Sequence, residues 1–532
     1  MRSRILRLHQ ICNQRLINSS SLRNTCAGAR WNSSTTNSKS NSSTSSGRQW
    51  STPLAKILGE AITTTGPIPV ATYMRQCLTS DLGGYYTAET PDKDQFGRKG
   101  DFVTSPEISQ VFGELVGLWV VAEWIAQGRK SSGVYLMEVG PGRGTLMDDM
   151  LRTIRNFKDM VTAIDGIYLI EASPSLRAAQ HKLLCGENPL DQTDVGYGSR
   201  SKYDEKLRVV WCEDVRLLPK ESDWTPFIVA HEFFDALPIH VFQSVPPNPD
   251  QPDTIQTPTG PIDAKKLPRA ALEHQWRELV VSPTSPFTIP SSPPVSSSPE
   301  DVPDFELTLS RASTPHSLYL PEQSARYKAL KSTPDTIIEI SPESQSYAAD
   351  FAVRIGGGAL PTSPTTKPTR GTPPAKEVLK KSPSGAALII DYGPASAIPR
   401  NSLRGIQAHK HVSPFVRAGQ VDLSADVDFL ALAEAALNAS QGVEVHGPVS
   451  QGAFLGAMGI EARVAQLVKR ALERERGKGL GEAVKRIEGG WRRLVDRGEG
   501  GMGGLYQVMA VVPYRGEEGL RRPVGFGGDV KL

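Results

Sequence analysis

The stretch from Val134 to Met150, VYLMEVGPGRGTLMDDM, constrains the fold more than any other part of the chain. An apolar run from Val134 to Met137 reads as a strand. It ends in Glu138, then passes Gly140, Gly142 and Gly144 at alternate positions into a helix-compatible segment from Thr145. Strand, tight glycine turn and helix, in that order, form the first unit of a parallel α/β sheet. Glycines accept positive φ and let a ligand approach the main chain, and the amides of such a turn form a partly positive end. The expected ligand is a nucleotide.

Spacing narrows the choice. A dinucleotide fingerprint has G-x-G-x-x-G, whereas position 145 is Thr and the pattern here is E-x-G-x-G-x-G. This resembles motif I of class I S-adenosyl-L-methionine methyltransferases. The resemblance implies that the loop wraps the methionine part of the cofactor, with Glu138 close to it and Gly140, Gly142 and Gly144 forming the wall. The donor is a sulfonium cation without phosphate, which suits an acid at Glu138 better than a pyrophosphate would. A glycine turn without a ligand would look the same, so the context decides.

Three later strands supply that context. DGIYLIEAS, 165–173, ends an apolar run in Glu171; in a doubly wound sheet that position lies beside the first strand, where an acid accepts both ribose hydroxyls. LRVVWCEDV, 207–215, closes on Glu213 and Asp214. In methyltransferases of this class an acid there receives the adenine amino group, and Asp214 fits best. FIVAHEFFDALP, 227–238, carries His231, Glu232, Phe233, Phe234 and Asp235 after its apolar run. Carboxyl ends of parallel strands face the ligand crevice, so this group is expected near the transferred methyl; packing phenylalanines and a capping Asp235 are the competing reading. GAALIIDYG, 385–393, is a further buried strand ending in Asp391 and Tyr392. Strands alternating with helical patterns argue for an α/β sheet, not a sandwich.

Flanking segments are expected to add helices and a subdomain. Leu54, Ile57, Leu58 and Ile62 recur at helical spacing, and VATYMRQCLTS forms a second helix. In 100–128 a long apolar helix is expected, with Ser105 as N-cap and Pro106 at its first position. Phe102, Pro106 and Glu107 are candidates for a substrate-side wall, with helix start and core as the equal alternative. HQWREL and ELTLS read as strands of an added subdomain, ESQSYAADFAVRI as a helix, and GLYQVMAVV as a last strand. Residues 244–268, 282–303 and 361–384 are rich in Pro, Ser and Thr and read as surface insertions.

Composition excludes several classes. No apolar run approaches the roughly 18 to 20 residues that span a bilayer. Sixty Lys and Arg stand against 57 Asp and Glu, a balance that gives no argument for nucleic acid. Five cysteines show no C-x-x-C, which fits a reduced compartment. No metal-ligand spacing is visible, and His409 and His411 sit among loop signals. Residues 1–48 carry arginines at 2, 4, 7, 15, 23, 30 and 48 and Lys39, with no acid before Glu60, and Ile5, Leu8, Cys12 and Leu16 lie near one helix face. That is the composition of a mitochondrial transit peptide.

With these stretches read, the chain resembles the MidA family of mitochondrial and bacterial methyltransferase-fold proteins. The strings that carry the resemblance are GGYY, GDFVTSPEISQVFGELVGLW, EVGPGRGTLMDDMLR, AHEFFDALPIHVFQ, IIDYG, LRG, DLSADVDF and QGAFLGAMGI. It implies a class I, Rossmann-like methyltransferase sheet with an N-terminal helical region and an inserted substrate subdomain. The expected divisions are a transit peptide at 1–48, a helical and substrate region at 51–128, a core at 133–245, an insertion at 246–384 and completion of the core at 385–515. For the mitochondrial members it implies symmetric dimethylation of an arginine in a peripheral-arm subunit of complex I, in the matrix, with S-adenosyl-L-methionine as donor and no nucleic acid partner. Guanidinium arrives charged and weakly nucleophilic, so carboxylates are expected to hold it as a fork. Glu232 is the first candidate for that clamp, Asp235 the second, and His231 the candidate proton acceptor. Asp422, Asp426 and Asp428 either face a basic substrate segment or cap the helix at Phe429. The competing functions are an assembly chaperone on a methyltransferase fold, and an enzyme with an RNA or small-molecule acceptor.

Overall fold

A computed structural model describes residues 48–87, 100–101, 103–220, 222–246, 254–257, 260–263, 274–285, 302–359, 377–378, 380, 382–474, 481–498, 500–516 and 521–527. The expected transit peptide, Phe102 and most of the Pro/Ser/Thr-rich segments fall outside these residues.

Five parallel strands make the centre of a nine-stranded sheet. Across the sheet they run Ala386–Tyr392, Thr225–His231, Val134–Val139, Ile164–Ile170 and Arg208–Cys212. The chain starts at Val134–Val139, builds outward through the next two strands, then returns to the other flank with Thr225–His231. The change of direction between Val134–Val139 and Thr225–His231 opens a crevice at the carboxyl ends of the strands, where ligands bind in doubly wound sheets. Tyr506–Pro513 then pairs antiparallel with Ala386–Tyr392, and Val443–Ser450 pairs with it from outside. The last strand among the described residues therefore lies inside the sheet. A hairpin of Asp191–Thr193 and Gly196–Arg200 forms the opposite edge.

The central strands are apolar on both faces because helices cover both; all six residues of Val134–Val139 are buried. On one face, Gln110–Ala126 and Thr145–Ile154 bring Phe112, Trp119, Leu146 and Met150 onto Leu136, Ile167 and Phe227. On the other, Pro342–Gly356 and Phe429–Ala439 bring Phe351, Ala352 and Leu432 onto Met137, Ile228 and Ile389. Each fully buried side chain of this size contributes roughly 1.5–3 kcal/mol.

A second, antiparallel sheet orders Ile68–Pro69, Gln275–Pro283, His240–Val245 and Ile337–Ile340, with Phe305–Leu309 also on Gln275–Pro283. HQWREL and ELTLS are strands of it, as expected. Pro53–Thr65 and Val70–Thr79 cover this sheet through Leu54, Tyr73 and Met74, which meet Val281 and Phe305. A small sheet of Arg404–Gln407, Lys410–Val412 and Asp422–Ser424 leads back toward the crevice.

Two local expectations change. Ile57 is 42% exposed, and the buried stripe of its helix is Leu54, Ala55, Leu58 and Ile62. The helix expected to run on from Ser105 is broken: Ser105–Ile108 is one turn with Thr104 at its N-cap, and Gln110–Ala126 begins afresh after Ser109. Ser109 is extended, with φ −155°, and its hydroxyl accepts from the Val111 amide. A serine side chain that caps the next helix competes with continuing the previous one.

Candidate active site

The crevice holds a cavity of about 270 Å³. One wall is the glycine loop. Gly140, Gly142 and Gly144 have φ of 64°, 53° and 83°, conformations that side chains rarely adopt. A Cβ on Gly140 would lie 2.8 Å from Cδ2 of Phe233, so that position is closed to other residues on two grounds. Gly144 donates to the Pro141 carbonyl at 2.7 Å and starts the helix Thr145–Ile154.

Glu138 lies beneath this loop, 2% exposed. Its Oε2 has no hydrogen-bond partner among the described residues. Burial pushes its pKa up to about 8, against the Met147 amide that favours the anion. An orphaned acid oxygen at a cavity wall, beside a main chain stripped of side chains, fits a cationic ligand; the site has the donor set that a sulfonium carrier with an amino group requires.

Glu171 closes the next strand and lines the same cavity. It accepts from the Ser173 amide at 2.8 Å and from Gln180 Nε2 at 2.9 Å; burial pushes it up to about 7. Gln180 also donates to the Gly142 carbonyl at 2.6 Å and accepts from Trp211 Nε1 at 2.9 Å. It thus ties the glycine loop to Glu171. The sequence reading did not single it out, since one glutamine in Pro174–Cys185 carries no periodic signal.

Glu213 and Asp214, which follow the third strand, have different surroundings. Glu213 lines the cavity. Asp214 caps the short turn Val215–Leu217, accepting from the Arg216 amide at 2.8 Å and pairing with its guanidinium. Burial raises its pKa, but the Arg216 hydrogen bonds outweigh that and hold it below the ordinary value.

The other end of the cavity is built by His231, Glu232, Phe233 and Asp235, all four on its wall. Glu232 has φ 50°, left-handed for a non-glycine residue. Asp391, at the end of the adjacent strand, accepts the amides of Phe233 at 3.0 Å and Phe234 at 2.8 Å. Those bonds fix the turn that aims Glu232 inward. Glu232 accepts from the Ser105 amide at 3.4 Å; burial, then Asp235, pushes its pKa up to about 8. His231 Nε2 lies 3.2 Å from Glu232 Oε1, yet burial pushes the imidazole down to about 3. The contact is between a neutral ring and the carboxyl group, not an ion pair. Phe112 and Tyr506 flank that ring.

Asp235 accepts from Ser424 Oγ at 2.9 Å. Its pKa is raised by burial and pulled back by Arg404. Asp422 accepts from the Tyr86 hydroxyl at 3.0 Å, and burial followed by Asp235 pushes it up to about 8. Asp426 instead pairs with Arg404 at 2.6 Å, and Asp428 caps the helix at Phe429. Pro106 and Glu107 line the cavity. Tyr392 lines it too, and its hydroxyl meets that of Tyr506. Seven carboxyl side chains face the cavity against the single guanidinium of Arg143, itself 3.3 Å from Glu107. Such a wall favours a positively charged ligand.

Comparison with known proteins agrees with this geometry. Residues 115–449 match the family described as "Putative S-adenosyl-L-methionine-dependent methyltransferase". A mitochondrial protein of Drosophila melanogaster, named as the protein arginine methyltransferase NDUFAF7 homolog, is 32% identical over 86% of this chain and 85% of its own length. The human mitochondrial protein arginine methyltransferase NDUFAF7 is 32% identical over 79% of this chain and 77% of its own. Among solved structures, a COG1565 superfamily member from Burkholderia thailandensis, bound to S-adenosyl-homocysteine, superposes with a TM-score of 0.59. It shares 21% identity and covers 89% of this chain and 94% of its own.

Proposed function

The chain belongs to the S-adenosyl-L-methionine-dependent methyltransferase family matched over residues 115–449, and from that premise we propose that it methylates an arginine side chain of a mitochondrial protein. Two relatives that match most of the chain are named as mitochondrial protein arginine methyltransferases. The observation that carries the reading is the carboxyl-rich acceptor end, where Glu232, Asp235 and Asp422 face one cavity with the glycine loop.

S-adenosyl-L-methionine, when bound, supplies an electrophilic methyl group. The residues that would hold it are Glu138, the loop of Gly140, Gly142 and Gly144, Glu171 and, at the adenine end, Glu213 or Asp214. Glu213 is preferred because Asp214 is engaged by Arg216.

The acceptor guanidinium has a pKa above about 12 and enters charged. Glu232 grips it as a two-oxygen fork and concentrates its electron density on the attacking nitrogen, with Asp235 behind as the second carboxylate. An entering cation draws Glu232 from its protonated resting form to the anion, because opposite charge reverses the penalty of burial. His231, held neutral beside Glu232 Oε1, is placed to take the proton that the nitrogen loses. Its low proton affinity makes that a transient station, with Glu232 the better final holder. Fixed placement of the nitrogen supplies much of the rate.

Resemblance to the MidA family carries the finer reading: symmetric dimethylation of a peripheral-arm subunit of complex I, in the matrix, early in assembly. The test is incubation of the chain, without residues 1–48, with labelled donor and mitochondrial lysate from cells that lack it, followed by identification of the labelled protein. Label in a complex I subunit as symmetric dimethylarginine is expected. Label confined to RNA or small molecules, or donor binding without any transfer, overturns the arginine reading.

A further inference from the structure

On the second sheet, outside the residues that line the cavity, three side chains with metal-binding chemistry converge. His240 begins one strand, Glu278 stands on the neighbouring strand Gln275–Pro283, and His316 lies in the first turn of the short helix Pro315–Tyr319. His240 Nδ1 is 2.8 Å from Glu278 Oε1, and His316 Nδ1 is 3.5 Å from Glu278 Oε2. The two imidazole rings are 4.2 Å apart between centroids. One ligand atom from each residue lies within 4.8 Å of the others.

Without an ion, this is a buried carboxylate shared by two imidazole N–H groups. Two observations favour a cation instead. Both histidines present the same atom, Nδ1, to one carboxylate, His240 at Oε1 and His316 at Oε2, and Thr314 orients that carboxylate by donating its hydroxyl to Glu278 Oε2. A metal ligand fixed by a further hydrogen bond is the usual arrangement of such sites. Thr314 is also the N-cap of the helix, in a capping box with Ser317, so the bond that aims Glu278 sets the position of His316 as well. Ligand bonds of about 2.0–2.2 Å in tetrahedral directions put ligand atoms roughly 3.4 Å apart; the two nitrogen–oxygen separations here are 2.8 and 3.5 Å, in a set that spans no more than 4.8 Å.

We propose that His240, Glu278 and His316 form a site for one divalent transition-metal ion of the zinc class. Two imidazole nitrogens and one carboxylate oxygen select zinc or its substitutes over magnesium or calcium. Glu278 is fully buried and His240 nearly so, while the His316 side chain is 45% exposed, so the ion enters from the helix side and keeps a fourth position open to water. Binding at Nδ1 holds each ring as its Nε2–H tautomer, the single proton of a neutral ring moving from Nδ1 to Nε2 through water, and pins a helix of only five residues to the sheet. The sequence showed no such spacing because the ligands lie 38 residues apart from each neighbouring ligand in the chain, as His240, Glu278 and His316 number.

The full chain, stripped with a chelator, is titrated with Co²⁺ and followed by its visible absorption. One equivalent with tetrahedral or five-coordinate bands is expected for the wild type, with Zn²⁺ abolishing them by competition. His316→Ala, at an exposed position, is expected to fold and to weaken Co²⁺ at least about tenfold, since loss of a ligand costs no less than loss of its supporting bond. His411→Ala, on a strand of the separate small sheet, keeps the bands. Absence of bands in the wild type, or bands of equal strength in His316→Ala, overturns the proposal. So does loss of the bands in His411→Ala.

Discussion

Asp391 fixes the shape of Glu232: by accepting the amides of Phe233 and Phe234, it holds the turn in which Glu232 takes its left-handed φ of 50°. The two carboxyl groups stand at the ends of adjacent parallel strands, yet one is structural and the other faces the cavity. Asp391 also accepts the Tyr392 amide at 2.8 Å. Asp391→Ala leaves three main-chain N–H groups without this acceptor, at about 1–3 kcal/mol each for those that stay buried. A loss of roughly 3 kcal/mol in urea unfolding is expected, together with loss of methyl transfer. Asp391→Asn, which keeps one acceptor oxygen, should recover part of the stability.

Glu232→Gln keeps the shape of the clamp and removes its charge. Transfer to a peptide carrying the target arginine is expected to fall at least about a hundredfold, in line with loss of a charged group that acts at the reacting atoms, while donor binding by calorimetry stays within a factor of about two. Near wild-type turnover removes Glu232 from the mechanism.

The same residue sets a pH dependence. Glu232 is protonated at rest below about pH 8, and the clamp needs the anion. At saturating donor, kcat/KM for the peptide should therefore rise with pH toward 8, and Glu232→Gln should flatten that rise. Tyr506 favours the Glu232 anion by hydrogen bonding, so Tyr506→Phe is expected to move the midpoint to higher pH. An unchanged midpoint would dissociate the two groups.

Burial of acids also makes the empty protein pH-sensitive. Glu138 and Glu232 sit near 8, and Glu171 near 7, all above the ordinary 4.5. A carboxyl raised in the folded state binds more protons folded than unfolded, so its stabilising contribution is fully present below the unfolded pKa and is lost as pH rises through the folded one. The ligand-free Tm should fall between about pH 5 and 8. S-adenosyl-L-methionine should offset the fall most at the upper end, and Glu138→Gln should reduce the slope. Differential scanning calorimetry with and without the donor measures both.

At the glycine loop, Gly140→Ala meets Phe233 at 2.8 Å and carries φ of 64°. A side chain in that conformation costs roughly 1–2 kcal/mol, and the displaced ring intrudes on the donor space. Donor affinity is expected to fall at least about tenfold. Phe233→Leu in the same chain relieves the clash but not the backbone strain, so recovery should be partial; full recovery would mean the φ constraint is idle.

Much of this was legible in the chain. The central parallel strands were readable because both faces are buried, which leaves uninterrupted apolar runs ending in Glu138, Glu171, Glu213 and His231. The glycine loop was readable because positive φ leaves a mark on composition. What could not be read is what depends on strand neighbours: that Asp391 serves Glu232, that Gln180 bridges Gly142 and Glu171, and that Tyr506 comes beside His231. Choosing between Glu213 and Asp214 depended on where a following arginine points, and His240, Glu278 and His316 meet only through tertiary pairing. The break at Ser109 was hidden because serine at a helix start and serine between two helices look alike.

Because Tyr506–Pro513 occupies an interior place in the main sheet, the donor half of the cavity is encoded well before the acceptor half is finished. A ribosome that has released only the chain ahead of Tyr506 delivers a polypeptide with its glycine loop but without Tyr506 beside His231. Truncation ahead of Tyr506 would leave Ala386–Tyr392 with an exposed edge and the clamp unsupported. Competence to transfer a methyl group is thereby postponed until Tyr506–Pro513 has been made and has paired with Ala386–Tyr392.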